Sequence, residues 1–346
     1  MYRLIRPLLF LLSPESAHKA SIYALKALSY IPLGMKILSL FFNFKSKALE
    51  REVFGIKFKN PVGLSAGFDK NGDLYNLFAP FGFSFIEIGS LTPLPQDGNP
   101  RPRCFRLESD NAIINRMGIN NRGVKYAVQY IKEHKPDCII GANLSKNATV
   151  ANENAADDYE RSFSLLYDFV DYFVINVSCP NVKDLTKLQD IGNLSRIIDR
   201  LLTLRNYYDD YRPILLKISP DLSFAQMDEI IDLVLLSGLD GVVATNTTTS
   251  RANLETNPEY VRSIGNGGLS GKPLFKRSLE VVRYIHEKTN GILPIIASGG
   301  IMKPEDAKAM LDAGASLVQV YSGFIYNGPS FVRKINKYLS EKAKEK

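Results

Sequence analysis

From about Pro61 onward, short runs of Val, Ile and Leu recur along the chain: PVGLSA, FIEIG, CIIGANLS, YFVINVS, ILLKIS, GVVATNT, LPIIASGG and LVQVYSG. Each run is continuously apolar rather than alternating, the pattern of a strand buried on both faces. Segments of helical periodicity separate them, among them GVKYAVQYIKEH, FAQMDEIIDLVLLS and PEDAKAMLDAG, the last opening on proline and closing on glycine. Strand and helix alternating eight times predict an α/β fold, a closed (β/α)8 TIM barrel, over residues 46–346.

Residues 1–45 differ in character. Ser13 and Pro14 can cap and open a helix in which Ala17, Ala20, Ala24, Leu25 and Leu28 keep helical spacing. After Pro32 a second segment carries Met35, Ile37, Leu38, Leu40, Phe41 and Phe42 and is apolar nearly all round. Arg3, Arg6, Lys19, Lys26, Lys36 and Lys45 accompany these residues against the single acid Glu15, a pattern suited to the surface of an anionic membrane. A helical hairpin packed on the barrel accounts for the same pattern. The opening MYRLIRPLLFLL starts like a signal peptide, but its apolar run is brief and meets Ser13-Pro14-Glu15 without a small-residue cleavage site, so it is expected to stay. Nowhere do about 18 uncharged apolar residues run together, so no membrane-spanning helix is expected.

The predicted strands end in polar or glycine-bearing groups: Lys70 shortly after the first, then Ser90, Asn143, Asn176, Lys217, Thr245 with Asn246, Gly299 with Gly300, and Tyr321 with Ser322. In a (β/α)8 barrel these ends share one rim, where active sites are built. Caps and turns explain single positions, but not two lysines and three asparagines together. Lys217 lies inside the apolar run ILLKIS, where an ammonium needs a negative partner, either a bound anionic group or a structural carboxylate. The last two strands run into ASGGIMKPEDA and YSGFIYNGPS, glycine-bearing turns before helices whose backbone amides can hold a phosphate.

Composition narrows the class. Hydrophobic residues at 45% and charged residues at 23% of 346 describe a folded globular protein. The net charge of +7 favours anionic partners without choosing among them. Cys104, Cys138 and Cys179 are odd in number and widely spaced, which argues for a reducing compartment and against a disulfide or zinc framework, and His18, His134 and His286 lack metal-ligand spacing.

The motifs NPVGLSAGFDKNG, IEIGSLTPLPQDGNPRPRCFRL, INRMGINN, INVSCPN, ATNTT, GGLSGKPL and LVQVYSGFI carry a resemblance. Along nearly its whole length the chain resembles a dihydroorotate dehydrogenase of the membrane-associated, quinone-dependent class 2 type. The resemblance implies a barrel that holds FMN and oxidises dihydroorotate to orotate in pyrimidine biosynthesis. It also implies that electrons pass to a membrane quinone and that the protein lies peripherally on the cytoplasmic side of the cell membrane, with residues 1–45 as the quinone- and membrane-associated segment. By the same resemblance Ala66, Gly67, Ser90, Asn143, Asn176, Lys217, Thr245, Gly271, Gly300, Tyr321 and Ser322 would bind flavin. Lys70, Asn115, Arg116, Met117, Gly118, Ile119, Asn176, Asn181, Asn246 and Thr247 would surround the substrate, and His18, Arg106 and Tyr321 would lie near the quinone head group. Asparagine amides suit a pyrimidine edge because they both donate and accept.

Removing hydrogen across a carbon–carbon bond requires a side chain that takes the proton, and in INVSCPN the NxxCPN register aligns Cys179 with that base, with Ser178 before it as the alternative. Cys104 and Cys138 are expected to be buried and inert. Class 2 members resemble one another in having serine at the base position, whereas cysteine belongs to the soluble class 1 type, so this chain combines a class 2 body with a class 1 base. Other readings stay open at this point. A class 1-like enzyme would use fumarate or another soluble acceptor. A tRNA dihydrouridine synthase would also use cysteine, but no separate RNA-binding domain is expected after the eighth strand and its helix, so nucleic acid is not an expected partner. A membrane-surface binding protein on an inactive barrel is the non-enzymatic alternative.

Overall fold

The structure, a computed structural model, describes residues 2–178 and 191–345. Eight strands close a parallel barrel: Val62–Leu64, Phe85–Leu91, Ile139–Leu144, Tyr172–Asn176, Ile214–Ile218, Gly241–Ala244, Ile295–Ser298 and Leu317–Val320. Each pairs with the next in chain order and the last with the first. All eight coincide with the continuous apolar runs, because strands covered by helices outside and side chains inside have no face left for polar residues.

Inside the barrel, Phe85, Tyr172, Val174, Leu215, Val243, Ile296 and Leu317 form one apolar cluster. Gly63 and Gly141 make room for it: a Cβ at either would lie 2.3 Å from the Phe85 ring or 2.1 Å from the Tyr172 ring. A hairpin of Arg51–Val53 and Ile56–Phe58 adds Val53 and Phe58 to this cluster, with the Phe58 and Phe85 rings edge to face at 5.3 Å. The barrel is therefore filled at the end away from the strand C-termini, which leaves the other rim for a site.

The surrounding helices are capped as their sequences direct. Helix Phe224–Ser237 starts with a Ser223–Gln226 capping box and stops at Gly238, whose φ of 78° suits glycine. A further antiparallel sheet of Cys104–Leu107, Ala112–Asn115 and Gly268–Gly271 lies outside the barrel and carries the segment after Asn115 to the rim.

Three helices precede the barrel: α1 (Tyr2–Phe10), α2 (Pro14–Ser29) and α3 (Gly34–Phe42). Ser13 caps α2 by accepting from the Ser16 amide at 3.3 Å. Glu15 forms a pair with buried Arg103 at 3.0 Å, and Arg106 donates to the carbonyls of Phe10 and Leu12 while stacking over the Phe10 ring. Arg333 donates to the carbonyls of Phe41 and Asn43 at the end of α3. The helices are thus tied to the barrel through backbone carbonyls and the ion pairs of Glu15 with Arg101 and Arg103. Much of their apolar surface stays exposed, including Leu4, Leu8, Leu11, Tyr30, Leu33, Leu40 and Phe41. Among the described residues no single helix is long and apolar enough to cross a membrane, although α2 and α3, bent by 117° between them, reach that length and composition together.

Candidate active site

A cavity opens at the C-terminal rim of the barrel, about 1040 Å³ when the solvent space at its mouth is included. Of the residues the resemblance assigns to flavin, Ala66, Gly67, Ser90, Asn176, Lys217, Thr245, Gly271, Gly300, Tyr321 and Ser322 line it. So do Lys70, Asn115, Met117, Gly118, Ile119, Asn246 and Thr247 from the substrate set. Cys179 and Asn181 lie outside the described residues.

The floor is one hydrogen-bond network. Asn246 Nδ2 donates to Asn176 Oδ1 at 3.2 Å and to Ser178 Oγ at 3.0 Å. Asn176 Nδ2 donates in turn to Ser90 Oγ at 2.8 Å and Asn143 Oδ1 at 3.1 Å, and Ser90 Oγ also donates to Asn143 Oδ1. The Asn143 Nδ2 group donates to Glu87 Oε1 at 2.8 Å, the same oxygen that meets Lys217 Nζ at 3.2 Å, while Gln319 Nε2 donates to Glu87 Oε2 at 2.5 Å. Asn143 is therefore beneath the cavity wall, where it orients two residues that do reach the cavity.

Sequence reading missed Glu87 and Gln319. Lys217 needs a negative partner, and the structure supplies one across the barrel interior in Glu87, fully buried in the apolar run FIEIG, with two strands between its own and that of Lys217. The signal was the same as for Lys217: one charge in an otherwise apolar run.

Arg116 points away from the cavity. Its guanidinium donates to the carbonyls of Ile264 at 2.5 Å, Asn266 at 3.2 Å and Pro102 at 3.1 Å, and stacks over the Phe105 ring. It fixes the backbone on either side of the Asn115–Ile119 loop. Lys70 donates to the Gly67 carbonyl at 2.6 Å, and burial lowers its pKa below the usual lysine value, partly offset by Cys104 and Glu15.

His18 and Tyr321 are linked through Phe68, whose ring lies 5.2 Å from the imidazole and 5.3 Å from the phenol ring, both edge to face. Burial, helped by the Lys70 charge, pushes the His18 pKa down to about 4. An aromatic path thus joins α2 to the cavity wall. Arg106 lies to one side, engaged with the end of α1. Burial raises the thiols of Cys104 to about 11 and Cys138 to about 12, so both are neutral near pH 7.

The chain is similar to known proteins along nearly its whole length. Residues 48–342 match the family model described as dihydroorotate dehydrogenase. A dihydroorotate dehydrogenase (quinone) of Christiangramia forsetii is 49% identical over 343 residues, covering 99% of both chains. The protein of that name from Coxiella burnetii is 43% identical over 344 residues, covering 98% of this chain and 97% of its own. Among solved structures, ligand-free DHODH from Eimeria tenella superposes with a TM-score of 0.86 at 35% identity, covering 96% of this chain and 95% of that one.

Proposed function

The chain belongs to the dihydroorotate dehydrogenase family, and from that premise we propose that it oxidises dihydroorotate to orotate with FMN and delivers the electrons to a membrane quinone. The observation that carries this reading is the continuity of the rim cavity, through Tyr321, Phe68 and His18, with helices whose apolar face is exposed. A soluble acceptor would need no such face.

The residues present fit FMN. On the substrate side, Thr247 Oγ1 and Asn120 Oδ1 are buried in the cavity wall with no partner among the described residues, so the cavity is built to hold a polar ligand beside the cofactor. Lys217, Ser90, Asn176 and Thr245 offer polar contacts to a ring edge, while Gly271, Gly300, Ile301, Ser322 and Gly323 bring backbone to the wall where a phosphate can be held. When bound, FMN supplies a hydride acceptor that a quinone can reoxidise.

The chain's own residues do the rest. Lys70 and the Asn115–Ile119 loop receive the substrate carboxylate, and the Asn176 and Asn246 amides hold the pyrimidine edge, joined by Asn181. Cys179 takes the proton from C5 of dihydroorotate. It follows Ser178, whose hydroxyl is held by Asn246 and donates to the Lys217 carbonyl at 2.9 Å, so the strand end leading to the base is anchored. Arg106 steadies the end of α1 beside the quinone path, and His18 and Tyr321 approach the quinone head group. Residues 1–45 form the membrane-associated part and 46–346 the FMN barrel. With Lys19, Lys36 and Lys45 exposed beside the apolar face, the protein sits peripherally on an anionic, cytoplasmic membrane surface.

The test is direct. Purified protein should be yellow, bleach anaerobically on adding dihydroorotate, and recover its colour on adding a quinone in detergent. Bleaching followed by recovery with fumarate but not quinone would move the reading to the soluble type, and a colourless protein that cannot be reconstituted with FMN would end it.

A further inference from the structure

Glu87 has no part in the reaction as described, yet it meets three side chains beneath the cavity. It is fully buried between Ile86 and Ile88, themselves fully buried. A carboxylate there is costly, and replacing a buried ion pair by packed apolar residues is often neutral or stabilising, so fold stability alone does not explain the Glu87–Lys217 pair. What the carboxylate does is gather donors from three other strands: Lys217, Asn143 and Gln319. Two of these line the cavity, and the third orients Ser90 and Asn176, which also line it.

We propose that Glu87 is a positioning residue for the cofactor, a role that rests on the FMN reading above. It holds Lys217, Asn143 and Gln319 in register beneath the flavin. It also offsets the lysine charge, so that the reduction potential is set by a neutral pair rather than by a bare cation. Reduction adds negative charge above this floor, and a nearby carboxylate opposes it while the ammonium favours it.

Glu87→Gln removes the charge and keeps the shape. Its amide oxygen can still accept from Lys217 and Asn143, which share Oε1, and its new NH₂ can donate to Gln319 if that amide turns over. In FMN-loaded, full-length protein titrated against a redox dye, the variant should favour the reduced cofactor at fixed poise by about tenfold or more, an upward shift of about 30 mV for a two-electron couple. A potential equal to that of the wild type overturns the role.

A cycle with Lys217 keeps the test open where the single variant folds poorly. Lys217→Met strands the buried carboxylate and should weaken FMN retention about tenfold or more. Glu87→Gln/Lys217→Met should regain part of that loss. A double variant that holds FMN no better than Lys217→Met overturns the proposal. Wild-type protein that takes up no FMN sinks the cofactor reading itself, an outcome distinct from an FMN-loaded wild type whose potential ignores Glu87.

Discussion

Replacing Leu8, Leu11 and Leu40 together by serine should release the protein from lipid vesicles while leaving the barrel's chemistry intact. The three side chains are 67%, 84% and 78% exposed, so they contribute little to folding, and exposed substitutions of this kind usually change stability by within about 0.5 kcal/mol each. Fully withdrawing a leucine from water stabilises by about 1.5–3 kcal/mol. With roughly three-quarters of each side chain available, and an interface shallower than a bilayer core, about 1 kcal/mol apiece is a cautious value. Three together give about 3 kcal/mol, or roughly a hundredfold in partitioning at 1.4 kcal/mol per tenfold. Co-sedimentation with zwitterionic and anionic vesicles reads this out. The loss should appear on both lipids, whereas the preference for anionic vesicles should survive because Lys19, Lys36 and Lys45 are untouched. Anaerobic bleaching by dihydroorotate should stay at the wild-type rate, and turnover with quinone embedded in vesicles should fall. Vesicle binding equal to that of the wild type would refute the membrane assignment of this face.

Three further outcomes are expected. Cys179→Ala should slow anaerobic flavin bleaching on the order of 10²-fold or more, and Cys179→Ser should recover part of the rate at higher pH, since a free thiol ionises near about 8.5 and a hydroxyl far above it. Because Ser178 is already committed to Asn246 and the Lys217 carbonyl, Ser178→Ala should cost much less; stopped-flow traces with the order of the two alanine variants reversed would assign the base to Ser178. His18, with its folded pKa pushed down to about 4, leaves the unfolded chain binding more protons between about pH 6.5 and 4; stability is therefore full above about 6.5 and lost as pH falls through 4, and urea midpoints should show a shallower acid slope for His18→Gln than for wild type. Arg116→Ala frees the carbonyls that steady the Asn115–Ile119 loop and should weaken orotate binding about tenfold with FMN retained, as titration would show; unchanged orotate affinity would count Arg116 out.

How far the sequence reveals this molecule depends on the range of the interactions involved. Continuous apolar runs locate all eight barrel strands because double burial acts on each strand separately. The Ser13-Pro14 start of α2 was legible for the same local reason. The sheet of Cys104–Leu107, Ala112–Asn115 and Gly268–Gly271 was not, since its pieces are four residues long and one partner comes from more than 150 residues away. Helix α1, with Pro7 inside it, read only as a brief apolar leader. In the site, residue type pointed to the rim, but direction did not follow from type. Asn143 and Arg116 belong to segments that reach the cavity, yet one side chain works beneath the wall and the other behind the loop.

Lys217 explains why direction matters more than identity here. An ammonium in an apolar strand can be read as a ligand for an anion or as half of an ion pair, and on sequence these compete. In the folded chain they do not, because Lys217 lines the cavity and meets Glu87 at once. The carboxylate makes the buried charge tolerable before any ligand arrives, while the cavity-facing position leaves the ammonium's remaining donors to serve one. Asn176 differs in having both amide hydrogens taken inward, by Ser90 and Asn143, and its oxygen shared with Asn246, so its plane is set in advance and the oxygen's second lone pair is what faces a ligand. A site whose polar groups are held by one another loses little freedom when it binds, and that preorganisation allows a planar ligand to be gripped by its edges.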